Sequence, residues 1–139
     1  AVQMFHTYLQ TEKGDATGMG EQMGEGVFDY ARTEGNVTLL GYTPLLWGSY
    51  TRPHKYQEIA ALKSFVRPQN EVRKERLATV ARETGWSINQ VIYAWMINSS
   101  PRVIPLVAVS KLEQLVEDLP AGDFTLTAEQ MALLNAPIS

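Results

Sequence analysis

VIPLVAVSKLEQLVEDL, residues 103–119, runs from an apolar strand through a turn that opens at Ser110 into a short helix. Ser110 and Glu113 stand at the spacing of a capping box. At such a junction the first backbone N–H groups of the helix lack intrahelical partners and point at whatever sits above the strand end, which suits a phosphate. The same pattern also describes a well-capped helix with no ligand, because capping boxes are common.

Outward from that stretch the chain repeats the alternation. Val2 to Leu9 reads as a strand with neither face polar, which suits a strand covered on both sides. Glu25 to Glu34 reads as a short helix with Val27, Phe28 and Ala31 on one stripe, stopped by Gly35 and Asn36. Val37 to Leu46 is a second strand, followed by the aromatic loop WGSYTRP at 47–53. Trp47 and Tyr50 in that loop either lie over a ligand or pack on a neighbouring helix. One or two helical turns fit between His54 and Phe65. Asn70 is placed to cap a helix through Thr84, ended by Gly85. Ser87 and Gln90 form another capping box, with Trp86 and Val91 as a hydrophobic staple, and the helix they open carries Ile88, Val91, Ile92, Trp95 and Met96. Thr127 with Gln130 caps a last helix, stapled by Leu126 and Met131, whose thin apolar face of Met131, Leu133 and Leu134 suits the outside or bottom of the fold.

Strands apolar on both faces alternating with helices predict a parallel sheet with helices outside. Three strands leave two open edges and partly covered apolar faces, so the pattern predicts a piece of a larger α/β unit, or one completed by another chain. The 139 residues, 45% hydrophobic and 19% charged with net charge −3, make one partial domain. The charge gives no nucleic-acid footprint, and no apolar run is long enough for a bilayer. With no cysteine there is no disulfide, thiolate nucleophile or Cys-based zinc site, which fits a cytoplasmic protein. The opening AVQMFH is no signal peptide, and it starts inside a strand pattern, as though residues preceded it.

Candidate chemistry is sparse. His6 and His54 have no carboxylate or second His at a useful spacing, so they read as packing and loop residues and predict no metal site. No serine has a G-x-S-x-G context. The glycines at 14, 18, 20, 24 and 26 match no nucleotide fingerprint at its offsets and read as a loop. The strand ends are better read as a binding surface. Gln3 offers an amide, Tyr42 and Trp47 flat faces, and Ser110 with the N–H groups of 111–113 and Lys111 an anion seat. In a β/α barrel the loops after strands seven and eight form the common phosphate place.

Four segments, VQMFHTYL, GYTPLLWGSYTRP, RLATVARETGWSINQVIYAWMINSS and VIPLVAVSKLEQLVEDL, together resemble the C-terminal part of an aldo-keto reductase. The broad group is the one that includes bacterial reductases and potassium-channel β-subunits. The second segment resembles the family's Ala-Tyr-Ser-Pro-Leu run with Gly shortly after. The third resembles its Leu-Ala…Gly…Ser-x-x-Gln-x-Ala-Leu-Ala-Trp pattern. The resemblance implies an α/β fold, the C-terminal portion of a TIM (β/α)8 barrel, with parallel strands six to eight and outer helices.

It further implies cofactor contacts: Gln3 on the nicotinamide carboxamide, Tyr42 stacked on the ring, and Leu45, Trp47 and Gly48 along the pyrophosphate, with Trp47 also facing substrate. Ser110, Gln114, Glu117 and Asp118 then hold the adenosine end, and Lys111 adds charge beside them. The implied cofactor is NADP(H), with NAD(H) as the alternative, because Gln114 stands where the family has a basic residue and Asp118 where it has Asn. The family's often-glycine turn position is Ala108. The substrate implied is a small carbonyl compound. The family's catalytic Tyr, Lys, His and Asp, and its Ser-Asn pair after strand five, come from earlier in the barrel, so the resemblance gives this stretch no catalytic residue and an N-terminal barrel portion as partner. Three functions follow: part of a carbonyl reductase, a non-catalytic nucleotide-binding protein like the channel β-subunits, or a ligand-free remnant that dimerises through its open edges.

Overall fold

The computed structural model describes residues 1–11, 18 and 20–138. Residues 12–17 and 19 of the glycine-rich loop therefore lie outside the described residues. Strands β1 (Val2–Phe5), β2 (Leu39–Tyr42) and β3 (Val103–Pro105) form one parallel sheet in the order β1-β2-β3. The register sets Gln3 beside Leu40 and Leu40 beside Ile104. Helices α1 (Glu25–Glu34), α2 (Lys55–Glu58), α3 (Pro68–Thr84), α4 (Ile88–Asn98), α5 (Leu112–Asp118) and α6 (Ala128–Asn135) alternate with the strands. This is an α/β layer with outer helices, a partial barrel and not a closed one.

Side chains alternate across the sheet, and only one face is well covered. Leu39, Val103, Val2 and Met4 pack with Ala31, Phe28 and Met96 of α1 and α4. Gly41 belongs to this face, and a Cβ there would lie 2.6 Å from Met96 Cε and 3.0 Å from His6 Cβ, so only glycine admits α4 so close. The row on the other face, Gln3, Leu40 and Ile104, is open, with Ile104 43% exposed. A second core joins Phe5, Tyr8 and Leu9 to Leu46, Leu62 and Phe65 and to the inner faces of α3, α4 and α6. The last helix is anchored there, with Leu134 fully buried and its carbonyl accepting the Tyr8 hydroxyl at 2.8 Å.

The strands are shorter than the residues predict. β2 ends at Tyr42 and not Leu46 because Thr43 turns to φ 59° and Pro44 has no N–H for the ladder. β1 loses its partner with it: His6 N–H still reaches Tyr42 O at 3.2 Å, but the backbone of residues 7–9 bonds to the side chains of Gln22, Arg73 and Tyr50 instead. In β3 the last ladder bond is Leu106 N–H to Gly41 O, 2.8 Å.

Several helix ends follow the local code. Gly35 and Gly85 take left-handed caps at φ 67° and 74°, and Ser87 with Gln90 and Thr127 with Gln130 form reciprocal boxes. Two assignments need correction. Asn70 does not cap α3, which starts at Pro68 with its fixed φ. Its amide instead clamps Gln10 and the Phe65 carbonyl with three bonds of 2.8–3.0 Å. Ser110 and Glu113 do not box α5 either. The helix starts one residue later, at Leu112, which makes Lys111 the cap position and brings Gln114 into reach.

Candidate functional site

The last residue of β2 and the turn that follows it carry four of the residues named from the sequence. Tyr42 closes the strand, its ring 6.0 Å from that of Phe5. Thr43, Leu46 and Trp47 then take φ of 59°, 47° and 52°, and Gly48 continues at 79°. A left-handed L-residue costs about 1–2 kcal/mol, so three of them within five positions store appreciable strain. Strain of this kind collects at ligand sites, where the surroundings over-determine the backbone. Leu46 is buried whereas Trp47 is 46% exposed, so the turn buries one side chain and holds a flat aromatic ring outward. At Gly48 a Cβ would meet the Arg52 guanidinium at 2.5 Å, so the backbone lies bare against that cation.

The turn is tied to the segment after β1. Thr7 donates its hydroxyl to Pro44 O at 2.7 Å, its Oγ1 lies 2.7 Å from the Tyr50 hydroxyl, and Leu9 N–H reaches Tyr50 at 2.9 Å. Burial pushes the Tyr50 hydroxyl well above the ordinary phenol range. Sequence reasoning missed both residues as site supports. The available signal was a small hydroxyl residue, Thr7, between the aromatic rings of His6 and Tyr8 in a run with no charged residue.

At the start of α5 the Gln114 side-chain oxygen accepts from Ser110 N–H (3.0 Å), Ser110 hydroxyl (3.2 Å) and Lys111 N–H (3.2 Å). Lys111 is exposed beside them. At the far end Glu117 points outward while its carbonyl accepts from Gln90 Nε2 at 2.6 Å. Asp118 is only 5% exposed and faces the Tyr93 hydroxyl at 3.5 Å. Burial foremost, and then the Glu117 charge, raise its carboxyl above the usual range. The named residues thus fall into three groups: Gln3 in the open row of β1, the 42–48 turn, and the α5 set, in which Asp118 turns inward.

A cleft of about 1150 Å³ lies elsewhere. His6, Phe28, Arg32, Arg73, Trp95 and Asn135 line it, and none of the ten residues named above does. His6 stacks on Trp95 at 5.3 Å and burial lowers its pKa to about 4, so it is a neutral packing residue there. Size alone does not make that cleft the site. The strained turn with its exposed ring is the better indication.

A half-open parallel sheet with outer helices and a strained, aromatic strand-end turn defines a partial (β/α) barrel. The sequence profile of the Aldo/keto reductase family matches residues 19–138, and the chain belongs to that family. It is 35% identical over 97 residues to "Aldo/keto reductase slr0942" of Synechocystis sp. (strain ATCC 27184 / PCC 6803 / Kazusa), covering 70% of this chain and 26% of that protein. It is also similar to the crystal structure of a thermostable aldo-keto reductase, Tm1743, in complex with the inhibitor epalrestat. That match has a TM-score of 0.57 and 25% identity, covering 80% of this chain and 33% of the other. The chain thus spans about a quarter to a third of the relatives it matches. No helix of the described residues is long and apolar enough to cross a membrane.

Proposed function

We propose that this chain supplies the nicotinamide- and phosphate-binding part of an NADP(H)-dependent aldo-keto reductase that reduces aldehydes or ketones to alcohols. The observation that carries the reading is the strained 43–48 turn, which holds Trp47 outward and Gly48 bare at the C-terminal end of β2 in a chain of this family. Cofactors of α/β folds sit at that end of the strands. In this reading Gln3 meets the carboxamide, Tyr42 stacks on the ring, Leu45, Trp47 and Gly48 follow the pyrophosphate, and Ser110, Lys111, Gln114, Glu117 and Asp118 serve the adenosine end.

The residues fit the two ends of the dinucleotide unequally. The turn offers an aromatic face and, at Gly48, a backbone on which the Arg52 guanidinium lies where a Cβ would be, a cation suited to a pyrophosphate. At α5 the N–H groups of Ser110 and Lys111 are already bonded to Gln114, so a 2′-phosphate there depends on Lys111 or on Gln114 turning away. NADP(H) is the family's habit, and NAD(H) is the alternative that Gln114 favours. The cofactor supplies the hydride. This chain's residues bind and orient it, while the general acid over the carbonyl comes from the upstream part of the barrel.

The test is carbonyl-dependent oxidation of NADPH by the 139-residue chain alone and with the preceding part of the barrel. Turnover only in the combined sample is expected, and turnover by the chain alone would sink the division of labour. The second reading is a non-catalytic nucleotide-binding protein like a potassium-channel β-subunit, in keeping with a set of named residues that holds binding groups and no general acid. Calorimetric binding of nucleotide with no turnover in the combined sample would establish it.

A further inference from the structure

We propose that Thr7 and Tyr50 form a clasp that positions the 43–48 turn, holding its left-handed backbone in the shape that presents Trp47 and Gly48 to the dinucleotide. The inference rests on the cofactor reading above and adds two residues that touch neither substrate nor cofactor.

Proton counting fixes the direction of the clasp. Thr7 has one hydroxyl proton, and it goes to Pro44 O at 2.7 Å. The 2.7 Å contact between Thr7 Oγ1 and Tyr50 Oη therefore carries the Tyr50 proton. Tyr50 Oη in turn accepts Leu9 N–H at 2.9 Å. The relay runs one way, from Leu9 N–H through the Tyr50 and Thr7 hydroxyls to Pro44 C=O. Both hydroxyls are donors and acceptors at once, and burial keeps Tyr50 protonated as that role requires.

Its location ties it to the turn. Pro44 lies between Thr43 and Leu46, both at positive φ, so the relay ends within the strained segment itself. Within the turn three backbone bonds of 2.9–3.1 Å remain, Leu46 N–H to Thr43 O, Gly48 N–H to Leu45 O and Ser49 N–H to Leu46 O. Thr7 is anchored from the other side, its carbonyl accepting Gln22 Nε2 at 3.0 Å. The segments that follow β1 and β2, 37 and 43 residues apart along the chain, are thus joined at the end of the sheet where the cofactor is expected.

Three variants test this: Thr7→Val, which keeps shape and loses the hydroxyl, Thr7→Ser, which keeps the hydroxyl, and Tyr50→Phe. Amide hydrogen exchange and calorimetric titration with NADPH and NADH are the readouts. Thr7→Val and Tyr50→Phe are expected to speed exchange at Leu46, Gly48 and Ser49 about tenfold, with α3 and α4 unchanged, and to weaken nucleotide binding about tenfold. Thr7→Ser is expected to restore both. If Thr7→Val does not fold, Tyr50→Phe, which removes one atom, carries the same comparison. Unchanged exchange in the turn, an equal rise throughout the chain, or unchanged affinity despite a loosened turn would each overturn the positioning role. Failure of the unaltered chain to bind either nucleotide while the turn still loosens would instead overturn the cofactor reading, and the clasp's role toward a dinucleotide with it.

Discussion

Gln114 reaches back to Ser110, its side-chain oxygen accepting the Ser110 N–H at 3.0 Å and the Ser110 hydroxyl at 3.2 Å. A neutral amide thereby occupies donors that an anion would use. Removing it with Gln114→Ala costs the α5 cap, about 1 kcal/mol, read as a lower urea midpoint. Gln114→Arg adds a charged fork suited to a phosphate and frees the N–H groups. Its expected effect is a shift of about tenfold toward NADPH over NADH in parallel titrations; an equal gain for both nucleotides would count against an adenosine role for this position.

His6 makes stability depend on pH. Burial lowers its pKa from 6.5 to about 4, and Nδ1 has no hydrogen-bond partner among the described residues. Between those values the unfolded chain binds a proton that the folded chain refuses, so stability falls as pH drops from about 6.5 to about 4 and then levels off. The full contribution is roughly 3 kcal/mol. Urea titrations of wild type and His6→Phe at pH 7 and pH 4.5 are the check: the wild type should lose stability between them by more than the variant does. Phe keeps a flat ring against Trp95, so a variant as pH-sensitive as wild type would remove His6 as the cause.

Gly41 sets how closely α4 lies on the sheet. Gly41→Ala would put a Cβ 3.0 Å from His6 Cβ and 3.1 Å from Val103 Cγ1 as well as against the mobile end of Met96. Met96 can move and Val103 can change rotamer at a cost in its buried site, but His6 Cβ cannot move without its backbone, so destabilisation of about 1–3 kcal/mol is expected. Thermal unfolding of this variant beside Gly26→Ala, where nothing lies within 4 Å, separates packing from the general effect of replacing glycine.

What the sequence made legible was local. Gly35, Gly85 and the Ser87–Gln90 and Thr127–Gln130 pairs act within one turn of their own helix, and the structure keeps them. The strand ends were not legible, because Thr43 and Leu46 take positive φ without being glycine, which no residue preference announces. Asn70 looked like a cap because its partner, Gln10, is 60 residues away. Thr7 and Tyr50 were hidden for the same reason, 43 residues apart. The strand-end turn was legible as a surface, since Trp47 and Tyr50 needed cover or a ligand. Trp47 takes the exposed option, and Tyr50 packs against Thr7.

The open side of the sheet predicts where the rest of the barrel attaches. β3 pairs only with β2 among the described residues, and beyond it Leu112, Val116 and Leu119 are 63–70% exposed at helical spacing four and three. These form one apolar stripe, and Val107 and Val109 shortly before it are also exposed. Covering three such side chains contributes on the order of 4 kcal/mol or more, hence at least hundredfold in affinity. The double variant Leu112→Glu with Val116→Lys should leave the unfolding midpoint of this chain nearly unchanged, since exposed positions carry within about 0.5 kcal/mol. It should weaken association with the preceding barrel portion at least hundredfold, measured by titration of one labelled piece with the other. Undiminished association would move the joint away from α5, and loss of a self-association present in the wild type would show that copies of this chain compete for the same stripe.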